Sequence, residues 1–210
     1  MKHNEMVKQI NILIIGDNGV GKTSILNRFF DDIFIPTTKP TRGISFAEKI
    51  TVFSAKTVKI RIWNTNGQDI LKLSVFKMCE NIDGIIITYD VTNVNSFNNV
   101  YNWINLIKSH NNINNIKIAL VGNKTDISDK RVVSFIEGKK ISKKYKIDLF
   151  FETSALNNVQ SDNNTTIQNV FTNFFDKIMS VNCHNYFMQL KNKTLIKYVN
   201  QFRQLTSLTM

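Results

Sequence analysis

The sequence has little of what marks secreted, membrane-spanning or nucleic-acid-binding proteins. Only two of its 210 residues are cysteines, Cys79 and Cys183, and their unlike contexts predict free thiols in a reducing compartment. The first residues, Met1-Lys2-His3-Asn4-Glu5, hold no apolar leader, and no apolar run approaches the length of a membrane span. We therefore expect a cytoplasmic protein, for which peripheral contact with endomembranes stays open.

Positive charge is in excess, with 27 lysines and arginines against 16 acidic residues and a net charge of +11. The lysines are scattered and form no arginine-rich stripe, so no nucleic-acid partner is expected. An anionic nucleotide or an acidic lipid surface accounts for the charge equally well. Asparagine is abundant at Asn111–Asn115 and Asn157–Asn164, where loops are expected, and is interpreted as a compositional habit of the source genome.

The most informative stretch, residues 16–23, reads Gly-Asp-Asn-Gly-Val-Gly-Lys-Thr. It joins the apolar run Ile10–Ile15 to a helical segment, Ser24–Phe30, which is the context of a phosphate-binding loop. Its glycines let successive N–H groups face phosphate oxygens, while Lys22 would reach the β- and γ-phosphates and the Thr23 hydroxyl would ligate Mg²⁺. A glycine turn that fits the pattern by chance is the alternative. The predicted nucleotide-binding residues here are Asn18, Gly19, Val20, Gly21, Lys22, Thr23 and Ser24.

Apolar runs alternate with helical segments along the chain, which predicts an α/β fold of three layers with helices on both faces of a mostly parallel sheet. The six predicted strands are Ile10–Ile15, Ile44–Phe53, Val58–Trp63, Gly84–Tyr89, Lys117–Val121 and Ile147–Phe151. The predicted later helices are Ser96–Ser109, Phe135–Tyr145 and Ile167–Met179. The second and third strands are expected to form a hairpin, which adds one antiparallel edge strand.

Further motifs follow the ends of the third, fifth and sixth strands, at Trp63–Gln68, Gly122–Asp126 and Glu152–Ala155. In open α/β sheets, ligands bind in the crevice beyond the carboxyl ends of the strands. Together with the glycine loop, four separated loops should therefore converge on one pocket.

The order and spacing of these motifs resemble a Ras-superfamily small GTPase, most of all the Rab branch, from about Lys8 to Ser180. The segments whose sequences are Rab-like include Ile85–Thr92, Ser96–Val100 and Phe150–Ala155. The resemblance implies a P-loop NTPase G domain over 8–180 that acts as a guanine-nucleotide switch. It also implies GTP and GDP as ligands, Mg²⁺ as cofactor, slow GTP hydrolysis and a role in vesicle trafficking.

Base recognition is assigned through the same resemblance. The Asp126 carboxylate fits the ring N–H and the exocyclic amine of guanine, whereas adenine would leave its charge unpaired. An adenylate-using kinase or ATPase is therefore disfavoured. Asn123 would brace the loops, and the Lys124 stem would cover one face of the ring.

The guanine oxygen would meet backbone groups of Ser154, Ala155 and Leu156. The family usually has lysine at the position of Leu156, so packing there is altered. Phe34 either stacks on the guanine edge or is an ordinary core residue.

The two switch loops are placed by Thr41 and by Gly67 with Gln68. Thr41 matches the threonine that joins Thr23 on Mg²⁺ when the γ-phosphate is present, so the loop closes on GTP. Gly67 would approach the γ-phosphate, and Gln68 would orient the attacking water as the catalytic residue. No arginine is placed as a built-in finger, so hydrolysis is expected to be slow without an activating protein.

Departures from the family pattern concentrate in the switches. Asn64 stands where the family has an aspartate near Mg²⁺, which predicts weakened rather than lost metal binding, by about 10–100-fold. Asn66 replaces a small alanine, and Arg42 replaces an aliphatic residue. The alternative function is therefore a pseudo-GTPase, a nucleotide-bound scaffold with little turnover. Effectors, exchange factors and activating proteins would meet these loops, but their identity does not carry over.

Residues 181–210 form a C-terminal extension in which Leu195, Tyr198, Val199, Phe202 and Leu205 share one helical face. A basic amphipathic helix on a membrane or a partner is one interpretation, and a tail packed on the domain is the other. The chain ends Ser207-Leu208-Thr209-Met210 without the prenylated cysteine of Rabs. We expect a monomer without the usual lipid anchor.

Overall fold

Strand β1, Lys8–Ile15, lies inside a six-stranded sheet and positions the glycine loop that follows it. The computed structural model describes residues 8–36, 43–53, 56–65, 81–109 and 116–180. The other strands are β2 (Ile44–Phe53), β3 (Lys56–Thr65), β4 (Gly84–Asp90), β5 (Lys117–Asn123) and β6 (Leu149–Glu152). They are ordered β2-β3-β1-β4-β5-β6.

The strand directions confirm the predicted sheet. β2 runs antiparallel to β3, with Phe46 beside Trp63, and the remaining neighbours are parallel. In the centre, Ile12 of β1 lies between Ile62 of β3 and Gly84 of β4. All parallel strands therefore end at one edge, where the motif-bearing loops follow.

Helices cover both faces of the sheet. They are α1 (Lys22–Asp31), α2 (Val94–Asn98), α3 (Val100–Lys108), α4 (Phe135–Lys144) and α5 (167–180), with a 3₁₀ turn at Ser128–Lys130. The single helix predicted over Ser96–Ser109 is two helices. The side chain of Asn93 accepts hydrogen bonds from the N–H groups of Asn95 and Ser96 and so starts α2 earlier, and Asn99 separates α2 from α3.

Two apolar cores result from the alternation of side chains along β1. Ile10, Ile12 and Ile14 pack in one core with α1 and α5, whereas Leu13 and Ile15 pack in the other with α3. β4 lies between these cores and is buried at every residue. The three-layer α/β architecture predicted from the apolar runs is confirmed.

A buried ion pair ties the connection between β5 and α4 to the end of β6. Arg131 donates from Nη1 to Glu152 Oε1 at 2.9 Å and from Nη2 to Oε2 at 2.8 Å. Glu152 is 2 % exposed, and this neighbour raises the pKa of the Arg131 guanidinium. Arg131 itself is partly exposed, so removing it leaves the buried Glu152 carboxylate without its charged partner.

Arg131→Ala should lower the free energy of unfolding by about 3 kcal/mol, because the Glu152 carboxylate loses its partner while it stays buried. Urea unfolding at a fixed, saturating nucleotide concentration measures the loss. Arg61→Ala removes a cation from the partly exposed Glu48, which also pairs with Lys59, and is the control with a much smaller effect. Equal losses in both variants would contradict this assignment.

Candidate functional site

The loop between β1 and α1 is shaped by two glycines that no other residue can replace. Gly16 has a φ of +139°, and a Cβ there would lie 2.1 Å from the carbonyl oxygen of Thr88. Gly21 has a φ of +95° and begins α1 without a side-chain cap hydrogen bond. The chain thus curls tightly around the first turn of a helix, an arrangement that binds anions.

Lys22 is buried inside this loop. The residue is 7 % exposed, and its Nζ donates to the carbonyl oxygens of Gly16 and Asp17, each at 2.8 Å. Burial lowers the pKa of Lys22 to about 8, and the negative charge of Asp17 opposes this shift. A buried cation with a depressed pKa favours binding of an anion, because the anion stabilises the charged form.

Asp17 fixes the other side of the loop. Its Oδ1 accepts from Trp103 Nε1 at 2.9 Å and its Oδ2 accepts from Asn99 Nδ2 at 2.6 Å, so α3 holds the loop. The sequence gives no local signal for this anchor. The three side chains are brought together only by the pairing of β1 with β4.

Asn123, at the end of β5, connects three loops. Its Nδ2 donates to the carbonyl oxygen of Val20 at 2.9 Å, and its Oδ1 accepts from the N–H of Ala155 at 3.3 Å. The glycine at position 21 is required here too, since a Cβ on Gly21 would lie 2.2 Å from Asn123 Nδ2. One buried amide therefore joins the phosphate loop to the loops after β5 and β6.

Asp126 and Ser154 meet in the same place. Ser154 donates from Oγ to Asp126 Oδ1 at 2.5 Å, which fixes the orientation of the carboxylate. Lys124 has a φ of +69° and its Nζ lies 2.7 Å from Asp90 Oδ2, where Asp90 is 6 % exposed. These contacts fix both charged side chains of the motif after β5.

The asparagine-rich stretch before α5 has structural roles that the compositional interpretation missed. Asn158 Oδ1 accepts from the N–H of Ile167 at 2.6 Å, at the start of α5. Asn164 Oδ1 accepts from Thr125 Oγ1 at 2.9 Å and so braces the loop that carries Asp126. These structural roles follow from the hydrogen-bonding capacity of individual asparagine side chains and not from the abundance of asparagine.

The residues that suit a metal ion are Thr23 and Asn64. Asn64 is 5 % exposed, and its Nδ2 donates to Thr23 Oγ1 at 3.1 Å. Among the described residues, no hydrogen-bond partner reaches the buried Asn64 Oδ1. A hydroxyl beside an unsatisfied amide oxygen fits Mg²⁺ with its bound water, because both atoms are hard oxygen donors.

Two residues predicted to contact the base, Phe34 and Leu156, are not fully buried. Phe34 is partly buried and packs against the core of α1 and α5, which agrees with the core alternative without testing the stacking role. Leu156 is 47 % exposed. Thr41, Gly67 and Gln68 lie outside the described residues, as do Arg42 and Asn66, so their roles stay predictions.

A glycine loop with a buried lysine, joined to a carboxylate loop across the carboxyl ends of parallel strands, defines a P-loop nucleotide-binding protein. Residues 11–180 match the model of the Ras family. The chain belongs to this family.

Curated relatives agree with this assignment. The chain is 43% identical over 151 residues to the Ras-related protein Rab-10 of Caenorhabditis elegans, covering 72% of this chain and 74% of that protein. It is 43% identical over 151 residues to the GTP-binding protein yptV2 of Volvox carteri, with coverages of 71% and 69%. Identity to the Ras-related protein Rab-8A of Bos taurus is 41% over 152 residues, with coverage of 72% of each chain. The protein is thus a Rab-like small GTPase, a switch that binds and hydrolyses GTP in vesicle trafficking.

Within the described ranges, none of the helices has the length and apolar character needed to cross a bilayer.

Nucleotide binding should take up a proton at about pH 8.5, because a bound phosphate restores the charged form of Lys22. Calorimetric titration of GDP in two buffers of different ionisation enthalpy measures the uptake, and repetition at about pH 7, where Lys22 is already protonated, is the control. Without nucleotide, the unfolded chain binds this proton between about pH 8 and 10.5 and the folded chain does not, so stability should rise with pH there. Identical enthalpies in both buffers at the higher pH would refute the lowered pKa.

Proposed function

We propose that GTP and GDP lie along the carboxyl ends of β1, β5 and β6, with the phosphates on the glycine loop and the guanine at Asp126. The observation that carries this proposal is the pair of hydrogen bonds from Asn123 to Val20 and Ala155. Because one side chain spans the phosphate loop and the base loop, a single ligand can touch both.

The phosphate end would be bound by backbone N–H groups and one cation. Lys22 would donate to phosphate oxygens in place of its two carbonyl acceptors or in addition to them. The negative phosphate would then offset the cost of burying the Lys22 ammonium group. The residues assigned to this end are Asn18, Gly19, Val20, Gly21, Lys22, Thr23 and Ser24.

The base end would be read by Asp126 and by the loop after β6. Ser154 orients the carboxylate so that it would accept from the guanine ring N–H and amine. The N–H of Leu156, and that of Ala155 shared with Asn123, would donate to the guanine oxygen. The Lys124 stem, restrained by Asp90, would cover the ring. Phe34 is assigned to its edge.

Thr23, together with Thr41, would hold Mg²⁺, which when bound neutralises charge on the β- and γ-phosphates. Asn64 would accept from water near this ion through its free amide oxygen. Since an amide lacks the charge of a carboxylate, we infer weakened metal affinity rather than its loss.

Gln68 would orient the water that attacks in line, and Thr41 and Gly67 would respond to the γ-phosphate. Effectors, exchange factors and activating proteins would bind these loops. We further propose a monomeric G domain over 8–180, a cytoplasmic location with peripheral contact on endomembranes, and a membrane or partner contact for 181–210.

The purified protein should carry GDP or GTP, which tests the site as a whole. Acid extraction followed by chromatography identifies the nucleotide. A chelator should speed its release, because the metal that Thr23 would hold neutralises phosphate charge when bound. A co-purifying adenine nucleotide, or displacement of GDP by excess ATP, would refute the guanine assignment.

Asp126→Asn should weaken GDP binding by about 100-fold or more, because the amide cannot accept both guanine N–H bonds and brings its own N–H against the guanine amine. Xanthosine diphosphate, which has an oxygen in place of that amine, should bind the variant better than GDP. Competition against a fluorescent nucleotide measures both affinities. Asp129→Asn changes an exposed carboxylate in the 3₁₀ turn and serves as the control.

Asn64→Asp should lower the Mg²⁺ concentration that half-saturates nucleotide retention by about 10–100-fold, because it adds a negative charge beside the metal. Nucleotide release rates over a magnesium titration measure this, with Asn173→Asp on the exposed face of α5 as the matched charge control. Single-turnover hydrolysis separates the enzyme from the scaffold: if only the Asn64→Asp, Asn66→Ala variant cleaves GTP, turnover in the natural chain is disproved while binding survives.

A further inference from the structure

Arg28 lies in the last turn of α1, and no motif of the sequence accounts for it. Its guanidinium reaches the loop after β6, where Nε donates to the carbonyl oxygen of Ala155 at 3.0 Å and Nη2 donates to that of Leu156 at 3.1 Å. Two consecutive carbonyl groups are therefore held by one side chain from a different part of the fold.

The guanidinium is itself fixed from both sides. Its Nη1 donates to the carbonyl oxygen of Asp32 at 2.8 Å and to Asp32 Oδ1 at 3.1 Å. In addition, the backbone oxygen of Arg28 accepts from Gln168 Nε2 of α5 at 3.2 Å. The Arg28 side chain is 15 % exposed, so it is a rigid brace rather than a mobile surface cation.

A peptide group is planar, so the direction of a carbonyl sets the direction of the N–H that follows it. With the Ala155 oxygen turned towards Arg28, the N–H of Leu156 points the opposite way. Asn123 holds the preceding N–H, that of Ala155, on its own side of the loop. Of the two N–H groups assigned to the guanine oxygen, that of Ala155 is therefore engaged by Asn123, whereas the direction of that of Leu156 is set by Arg28.

We propose that Arg28 is a positioning residue for guanine recognition, which aims the N–H of Leu156 at the carbonyl oxygen of the base. This inference rests on the proposed nucleotide site and adds a specificity determinant outside its motifs. Hydrogen-bonded recognition is sensitive to such alignment, because a misdirected donor is left unpaired when the ligand is buried.

The test compares GDP with 6-thioguanosine diphosphate, which keeps the ring N–H and the amine of guanine but has sulfur, a weaker hydrogen-bond acceptor, in place of its carbonyl oxygen. Arg28→Met retains most of the aliphatic stem and removes all donors. It should weaken GDP binding about 3- to 10-fold, the range of a single hydrogen bond, and weaken binding of the analogue by less. Loss of the Arg28 charge acts on both diphosphates alike, so the ratio of the two affinities isolates the contact with the oxygen.

Arg28→Lys should give a smaller shift of the same ratio, because an ammonium can still donate to one carbonyl. Arg61→Met, on the far hairpin, should leave the ratio unchanged. Equal weakening of both ligands by Arg28→Met would show a merely structural role and overturn the inference. If Arg28→Met does not fold, an unchanged ratio in Arg28→Lys overturns it instead. Failure of the nucleotide site itself would be seen separately, as absence of a preference for GDP over the analogue in the wild-type protein.

Discussion

The side-chain amide of Asn123 is the interaction on which the rest of the site depends. It lies at the end of β5, is 2 % exposed, and makes one hydrogen bond through each of its polar atoms. A buried amide is tolerated only when such bonds are made. The cost of leaving it unpaired therefore favours a fixed separation of the loops after β1 and β6.

Electrostatics make the phosphate loop unfavourable unless an anion is bound. Lys22 is buried between carbonyl oxygens, and the resulting desolvation outweighs the favourable charge of Asp17. In the proposed complex, a phosphate at this loop would offset the desolvation of Lys22 and gain part of its affinity in that way.

The sheet could be predicted from the sequence because each strand is a local apolar run, and the binding loops because they follow those runs. The braces could not be predicted, since their partners are distant in sequence. Trp103 is 86 residues from Asp17, and Ala155 is 127 residues from Arg28. Only the strand order brings them together. The break between α2 and α3 was missed for a different reason, because the apolar pattern continues through both helices and the break falls at the single residue Asn99.

At the proposed metal site, the neutral side chain of Asn64 would affect the strength of nucleotide retention more than the arrangement of the oxygen donors. A threonine hydroxyl has two lone pairs, so the hydrogen bond from Asn64 to Thr23 still leaves an oxygen lone pair for a metal ion. The acceptor geometry near the ion therefore persists, and what is lost is the negative charge opposite a divalent cation. Since attraction between charges in a buried site exceeds that between a charge and an amide dipole, a metal ion at the proposed site would contribute less to holding the phosphates. On the proposed site, a larger share of nucleotide retention would then fall to the direct contacts of Lys22 and Asp126, and so to the hydrogen bonds that position these two residues.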